Sequence, residues 1–232
     1  MSLNIHESAI FIADAHYNID RTDLKDLLEK IKLGEIETTQ LFLMGDIFDY
    51  LAEQITYFRA INTSLIELIN ELSNSIDIVY LEGNHDYNLS NIFPNIDVYP
   101  LAKQPVMASY QNKKIALSHG DIYISKVYEN YTRCIRNHTF LKVLNFLDRC
   151  NIISMNVEKM LGGKDKSYKF DNFNEFAQER IGKYEHLKCD MIIEGHFHQG
   201  RAYDKYINVP SLIDLKYARF INGDMEFCIL DV

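Results

Sequence analysis

The four cysteines, Cys134, Cys150, Cys189 and Cys228, stand apart, with no Cys-x-x-Cys spacing. That leaves no thiol metal or redox motif, and reduced structural thiols are the expectation for a cytoplasmic protein. Positive charge is also short: 24 Lys and Arg against 33 Asp and Glu give −9 over 232 residues, with no basic tail. A nucleic-acid partner is therefore not expected. No window of about 18 uncharged apolar residues occurs, so no transmembrane helix is expected. Residues 1–7 lack a positive stretch followed by an apolar core, so no signal peptide is expected and a cytoplasmic location follows. Internal repeats, low-complexity segments and linkers are missing as well. What remains is 47% hydrophobic and 25% charged, an ordinary globular composition in a chain long enough for one large domain.

Short apolar runs at residues 8–13, 41–44, 76–81 and 190–194 read as buried strands. Residues 20–33 read as a helix capped by Asp20, with Asp23 in its first turn and Gly34 as its stop. Residues 51–72 carry apolar positions at helical spacing. Residues 106–110 and 113–117 flank Gln111-Asn112 as a hairpin. Residues 123–161 read as long, helical and aromatic-rich, broken at Gly162-Gly163, and residues 173–186 as a further helix. The tail from residue 203 is β-rich, with Asn222-Gly223 as a two-residue hairpin turn. The order is β-α-β-α-β, a hairpin, a helical insert over residues 122–170, a strand and a β tail, all in one domain spanning residues 1–232.

Five motifs punctuate this order: Asp14-Ala-His16, Gly45-Asp46-Ile-Phe-Asp49, Gly83-Asn84-His85-Asp86, His119-Gly120 and Gly195-His196-Phe-His198. Four follow an apolar run, so each reads as the loop leaving the C-terminal end of a buried strand, where α/β sheets collect ligand groups. Together they supply Asp, His and Asn donors suited to divalent cations. In an extended segment, residues two apart share a side, so Asp14 with His16, and His196 with His198, can each address one metal. The Asp46 carboxylate can bridge two cations, or cap a helix beginning at Ile47. Asp49 is expected to orient a ligand rather than bind metal. Asn84 offers an uncharged amide oxygen, His85 faces the substrate to protonate a leaving oxygen, and Asp86 is placed to hold the His85 ring. Each motif alone has a plainer reading as a turn, a cap or a core histidine. His6, His138 and His186 lie outside the motifs and are treated as ordinary.

As an ordered set spanning residues 14–198, the motifs resemble the calcineurin-like metallophosphoesterase superfamily. The resemblance implies a four-layer α-β-β-α sandwich of the α/β class with two divalent metals at the strand ends. It assigns Asp14, His16, Asp46 and His198 to one metal, and Asp46, Asn84, His119 and His196 to the other. A hydroxide held between the metals would attack phosphorus in line while His85 assists the leaving group. Mixed oxygen and nitrogen ligation suits Mn²⁺, iron or Zn²⁺, with Mn²⁺ taken as the expectation.

The segment 122–170 carries nine Lys or Arg against four acids, +5 in a chain of −9, together with Phe140, Leu141, Val143, Leu144, Phe146, Leu147, Ile152 and Ile153. Such a basic amphipathic stretch suits an anionic, partly lipidic ligand or a peripheral contact with the inner face of a membrane. It equally suits a helix packed on the sheet with a solvated basic face. A helical insert between His-Gly-Asp and Gly-His-x-His, with Lys166-Ser167 near its end, is similar to the UDP-2,3-diacylglucosamine diphosphatases of lipid A synthesis. That similarity implies cleavage of a UDP-sugar lipid to UMP and a lipid phosphate, with Lys166 and Arg133 as candidate substrate contacts. Two departures stand beside it. That family carries Arg at the position of His85, and an acidic pair at the position of Ser125-Lys126. A nuclease or a nucleotide phosphodiesterase or phosphatase is the enzymatic alternative. A non-enzymatic scaffold would be expected to have lost ligands that this chain retains.

Overall fold

Runs that are apolar on both faces become the central strands of two six-stranded sheets. The computed structural model describes residues 3–163, 166 and 168–231. In the first sheet, strands Ile10–Ile12, Gln40–Leu43 and Asp77–Leu81 pair in parallel, Phe11 opposite Phe42 and Leu41 opposite Ile78. Alternate side chains leave opposite faces. Phe11, Phe42 and Val79 enter a core shared with Leu117, Ile193 and Phe220 of the second sheet or the tail. Ile10, Ile12, Leu41 and Leu43 pack the other way, on helices Asp23–Lys32 and Thr63–Leu72. In the second sheet, strand Met191–Glu194 runs parallel to Lys113–Ser118 on one side and Tyr206–Asn208 on the other. Its outer face is covered by helix Phe173–Tyr184, whose Phe173, Ala177 and Tyr184 sit on Ala116, Ile192 and Tyr206. The layers run helix, sheet, sheet, helix, the four-layer sandwich that the motifs implied.

Several elements differ from their sequence patterns. Residues 51–72 form a two-residue strand, Leu51–Ala52, then helices Thr56–Ile61 and Thr63–Leu72. The strand pairs with Asp86–Tyr87, and Asn62 breaks the helix by donating to the carbonyls of Tyr50 and Phe58. The long helical stretch divides into Lys126–Ile135, His138–Leu147 and Ile152–Gly162. Asn137 accepts the Phe140 N–H at the start of the second helix, and the Asp148 carboxylate accepts the Ile153 and Ser154 N–H groups at the start of the third. These side chains offer the backbone a cap wherever a new axis begins. The first helix starts at Asp23, and Asp20 lies in a turn before it, donating its N–H to Asn18. The helix from Phe173 gives way after Tyr184 to a single tight turn, Glu185–Leu187. In the tail, Asn222 and Gly223 both have positive φ, 52° and 80°, as a primed hairpin turn requires.

Candidate dinuclear metal centre

The parallel strands end side by side, and the loops leaving them are stitched together. The Asp14 N–H donates to the Gly45 carbonyl at 3.1 Å and the His16 N–H to the Asp46 carbonyl at 2.9 Å. The Asp14 carboxylate accepts the His196 N–H at 2.8 Å, drawing in the second sheet. Asp14, His16, Asp46, His196 and His198 all adopt left-handed φ, between 46° and 63°. Non-glycine residues rarely do so, and such strain concentrates where the fold fixes a functional geometry. The i, i+2 pairs therefore converge through left-handed bends rather than along an extended strand, because the strands have already ended. Gly83 is needed at the centre: a Cβ there would collide with the Asp46 carboxylate and backbone nitrogen.

The donors fall into linked groups. Asp14, His16 and His198 present ligand atoms within 4.8 Å of one another, and so do Asp46, His119 and His196. Asp46 spans the two, with Oδ2 3.8 Å from His16 Nε2 and Oδ1 3.5 Å from His119 Nε2. Asn84 Oδ1 lies 3.3 Å from His119 Nε2. All seven residues expected to hold metal therefore meet at one place. The second nitrogens are committed elsewhere: His119 Nδ1 donates to the Met44 carbonyl at 2.8 Å, and His198 Nδ1 to the Lys166 carbonyl at 2.7 Å. Each ring thereby turns its Nε2 toward a carboxylate, the arrangement of metal-ligating imidazoles. Asp14 Oδ1 is buried and has no hydrogen-bond partner among the described residues. A buried charged oxygen of that kind calls for a cation. The residues fit a pair of divalent ions.

Electrostatics agree. Burial pushes the Asp46 carboxyl up, but the imidazoles of His119, His85, His16 and His196 together hold it well below the usual carboxylate range. Burial drives His16 down to about 4, keeping it neutral and able to coordinate. Burial would also lower His119, yet the carboxylates of Asp46, Asp121 and Asp14 push it up to about 9, so without metal His119 holds a proton that a cation at its Nε2 would have to displace.

The remaining expected residues divide. The His85 N–H donates to Asp46 at 2.8 Å, and its ring Nδ1 donates to the Asp49 carbonyl at 2.7 Å. Asp86 does not hold that ring. Its carboxylate accepts the backbone N–H groups of Gly83, Asp46, Ile47 and Phe48 and the Tyr80 hydroxyl, so it fastens the Asp46 loop to the Asn84 loop. These N–H groups also explain why Asp46 caps no helix. The Asp49 carboxylate lies 3.4 Å from His16 Nδ1 and is paired with Arg21 at 2.6 Å and with Lys166 and Asn18. Lys166 thus reaches the site bound to Asp49, while Ser167 falls outside the described residues. Arg133 does not approach the centre. It is exposed on helix Lys126–Ile135 and lines a separate cleft of about 480 Å³ with Glu82, Glu129 and Tyr123.

Three residues that the motifs did not signal also shape the site. Arg21 lines a cleft of about 580 Å³ beside Asp49, with Asn18, Ile19, Met155 and Lys159. Arg136 contacts the Gly-Asn-His-Asp loop through the Gly83 carbonyl. Arg180 is buried against Glu194, 2.5 Å away, and Glu194 also accepts from Ser118, Tyr184 and Tyr206. This cluster sits immediately before Gly195-His196. Its trace in the sequence is a lone acid ending a buried apolar strand, which demands a partner.

A profile of calcineurin-like phosphoesterases matches residues 8–200. The chain belongs to the calcineurin-like phosphoesterase family and is a phosphoric-ester hydrolase of the dinuclear-metal type. Among curated proteins, it is similar to the UDP-2,3-diacylglucosamine hydrolase of Aromatoleum aromaticum, at 24% identity over 92% of this chain and 93% of the relative. The protein of the same name from Shewanella sp. strain ANA-3 shares 22% identity over 82% and 81%. Among solved structures, Yfce, a phosphoesterase from E. coli, overlays at a TM-score of 0.47 with 13% identity, covering 97% of this chain and 93% of Yfce.

Proposed function

We propose that the chain hydrolyses the pyrophosphate bond of a UDP-sugar lipid of the UDP-2,3-diacylglucosamine type, releasing UMP and a lipid phosphate. The observation that carries the hydrolysis is the pair of ligand groups joined by Asp46, with His85 beside them. In this reading Asp14, His16, Asp46 and His198 hold one Mn²⁺, and Asp46, Asn84, His119 and His196 the other. The ions neutralise phosphate oxygens and lower the pKa of the attacking water when bound. With Nδ1 committed to the Asp49 carbonyl, His85 has only Nε2 to give or take a proton at the leaving oxygen. Asp49 orients both His85, through its carbonyl, and His16, through its carboxylate. Asp86 acts earlier in the chain of support, by fixing the loops.

The choice of lipid substrate is supported by the name shared by the two relatives and by residues 122–170, read as an insert within a single domain. Phe140, Val143, Phe146, Leu147, Ile152 and Met155 are exposed there beside Lys142, Arg149 and Lys159. That mixture suits acyl chains carrying an anionic head, and a peripheral seat on the inner face of a membrane. No helix among the described residues is long and apolar enough to cross a membrane. Arg21 and Lys159 line the cleft beside Asp49, and in a pyrophosphate substrate they would meet the second phosphate. His85, standing where that family carries Arg, favours a second reading as a simpler phosphodiesterase. Hydrolysis of UDP-2,3-diacylglucosamine beside bis-p-nitrophenyl phosphate, both with Mn²⁺, separates them. Selective release of UMP is expected; cleavage of the small diester alone would discard the lipid substrate and keep the phosphodiesterase.

A further inference from the structure

Arg136 stands at the joint between helices Lys126–Ile135 and His138–Leu147. Its Nη2 donates to the Gly83 carbonyl at 2.8 Å and to Asp121 Oδ2 at 2.9 Å. Its guanidinium carbon lies 5.5 Å from the centre of the Tyr87 ring, a cation–π distance. Its own carbonyl accepts from Asn88 Nδ2 at 3.0 Å. Gly83 and Asn88 bracket the Gly-Asn-His-Asp loop, and Asp121 lies two residues beyond His119. One residue of the helical segment thus grips both ends of the loop bearing Asn84 and His85, and the loop bearing His119.

The grip is internal rather than ornamental. The Asp121 side chain is fully buried, and that of Arg136 is only 10% exposed. Arg136 Nε and Nη1 and Asp121 Oδ1 find no hydrogen-bond partner among the described residues, so the pair gives little net stability, yet breaking it is costly. The Gly83 carbonyl and the Asn84 N–H share one rigid peptide plane. Fixing that carbonyl therefore fixes the direction in which the chain enters Asn84. Asp86 holds the same glycine from its N–H side at 2.9 Å, so Gly83 is clamped at both its polar groups.

We propose that Arg136 is a positioning residue for the hydrolysis: it sets the Asn84 amide and the His85 ring relative to Asp46 and His119. The helical segment is then part of the catalytic frame, not only a cover for substrate. This rests on the metal-dependent hydrolysis proposed above. Its consequence is that the small diester, which needs no cover, depends on Arg136 as much as the lipid does. Both side-chain bonds come from the single nitrogen Nη2, which a lysine ammonium, one bond shorter, can approach as a charged donor, whereas methionine carries no donor.

The test uses the full chain with Arg136→Met and Arg136→Lys, bis-p-nitrophenyl phosphate with Mn²⁺, and calorimetric Mn²⁺ titration of the metal-free proteins. Arg136→Met is expected to lower kcat by about 10- to 100-fold, with KM within about twofold, and to weaken one of two Mn²⁺ sites by a similar factor. Arg136→Lys should recover most of both. Wild-type kcat and Mn²⁺ affinity in Arg136→Met would overturn the proposal. So would a rise in KM alone, which makes Arg136 a substrate contact, or equal losses in the two variants, which make the joint merely structural. If the methionine variant does not fold, Asp121→Asn serves instead: kcat is expected to fall about threefold at unchanged KM, and an unchanged kcat would overturn the proposal. If the wild-type protein cleaves neither UDP-2,3-diacylglucosamine nor the diester, the proposed function fails on its own, and the Mn²⁺ titration still judges Arg136.

Discussion

The floor of the metal centre and the helical segment beside it are built to different tolerances. Asp14, Asp46 and His119 are at most 3% exposed, and their loops are joined by backbone hydrogen bonds and by the five-bonded Asp86 carboxylate. In the segment, Phe146 and Leu147 are 62% and 68% exposed. Its anchors among the described residues include Leu141 against Ala52, Ile55, Phe58 and Tyr87, Asn145 on Thr56, the Tyr57 hydroxyl on Glu158, Lys166 on Asp49, and Arg136. Chemistry needs fixed distances, so it sits where polar groups are over-determined. Recognition of a large flexible ligand tolerates movement, so it can sit on helices with few anchors.

That contrast can be broken, beginning with the largest effect. Asp46→Asn should remove the shared ligand and lower turnover of every substrate by at least ~10³-fold, about 4 kcal/mol. Elemental analysis should show fewer than two metals per chain; a full complement would end the bridging role. Next, Arg180→Met leaves Glu194 charged and buried beneath the His196 loop. It should cost about 3 kcal/mol or more of folding stability, read as a lower denaturant midpoint, and a wild-type midpoint would show the pair to be dispensable. His85→Ala should then lower kcat about 10²-fold while elemental analysis still finds two metals; unchanged kcat would remove His85 from proton transfer. The smallest effect belongs to the segment. Phe146→Ser should raise KM for a diacyl substrate roughly fivefold, about 1 kcal/mol of lost apolar contact. The same variant should treat bis-p-nitrophenyl phosphate as the wild type does. A loss shared by both substrates would erase the distinction between floor and segment.

Sequence alone carried the floor a long way. Buried strands are short, apolar and followed by turn residues, so their loops could be located without knowing how the sheets pair. Asp14, His16, Asp46, Asn84, His119, His196 and His198 were legible because each lies within four residues of a strand end. The four layers followed from the resemblance those motifs carry, and the hairpin turn at Asn222-Gly223 from its own local chemistry. The segment was legible only as composition. Its apolar spacing suggested one helix, because the caps at Asn137 and Asp148 compete with helix continuation only once the neighbouring elements set new axes.

Tertiary structure decided the supporting contacts. Asp86 neighbours His85 in sequence, yet it turns to four backbone N–H groups and the Tyr80 hydroxyl, while the His85 ring goes to the Asp49 carbonyl 36 residues away. Arg133 and Arg136 lie three residues apart, one in the last turn of helix Lys126–Ile135 and the other just past its end, and read alike as basic residues. One faces outward and the other is buried on Gly83 and Asp121, 53 and 15 residues distant. Arg21, Arg180 and Glu194 likewise find their partners across sheets or loops. Ligand identity is thus written locally, because a strand end fixes where a side chain emerges. What holds each ligand in place depends on which loops the two sheets bring together, and no local pattern encodes that.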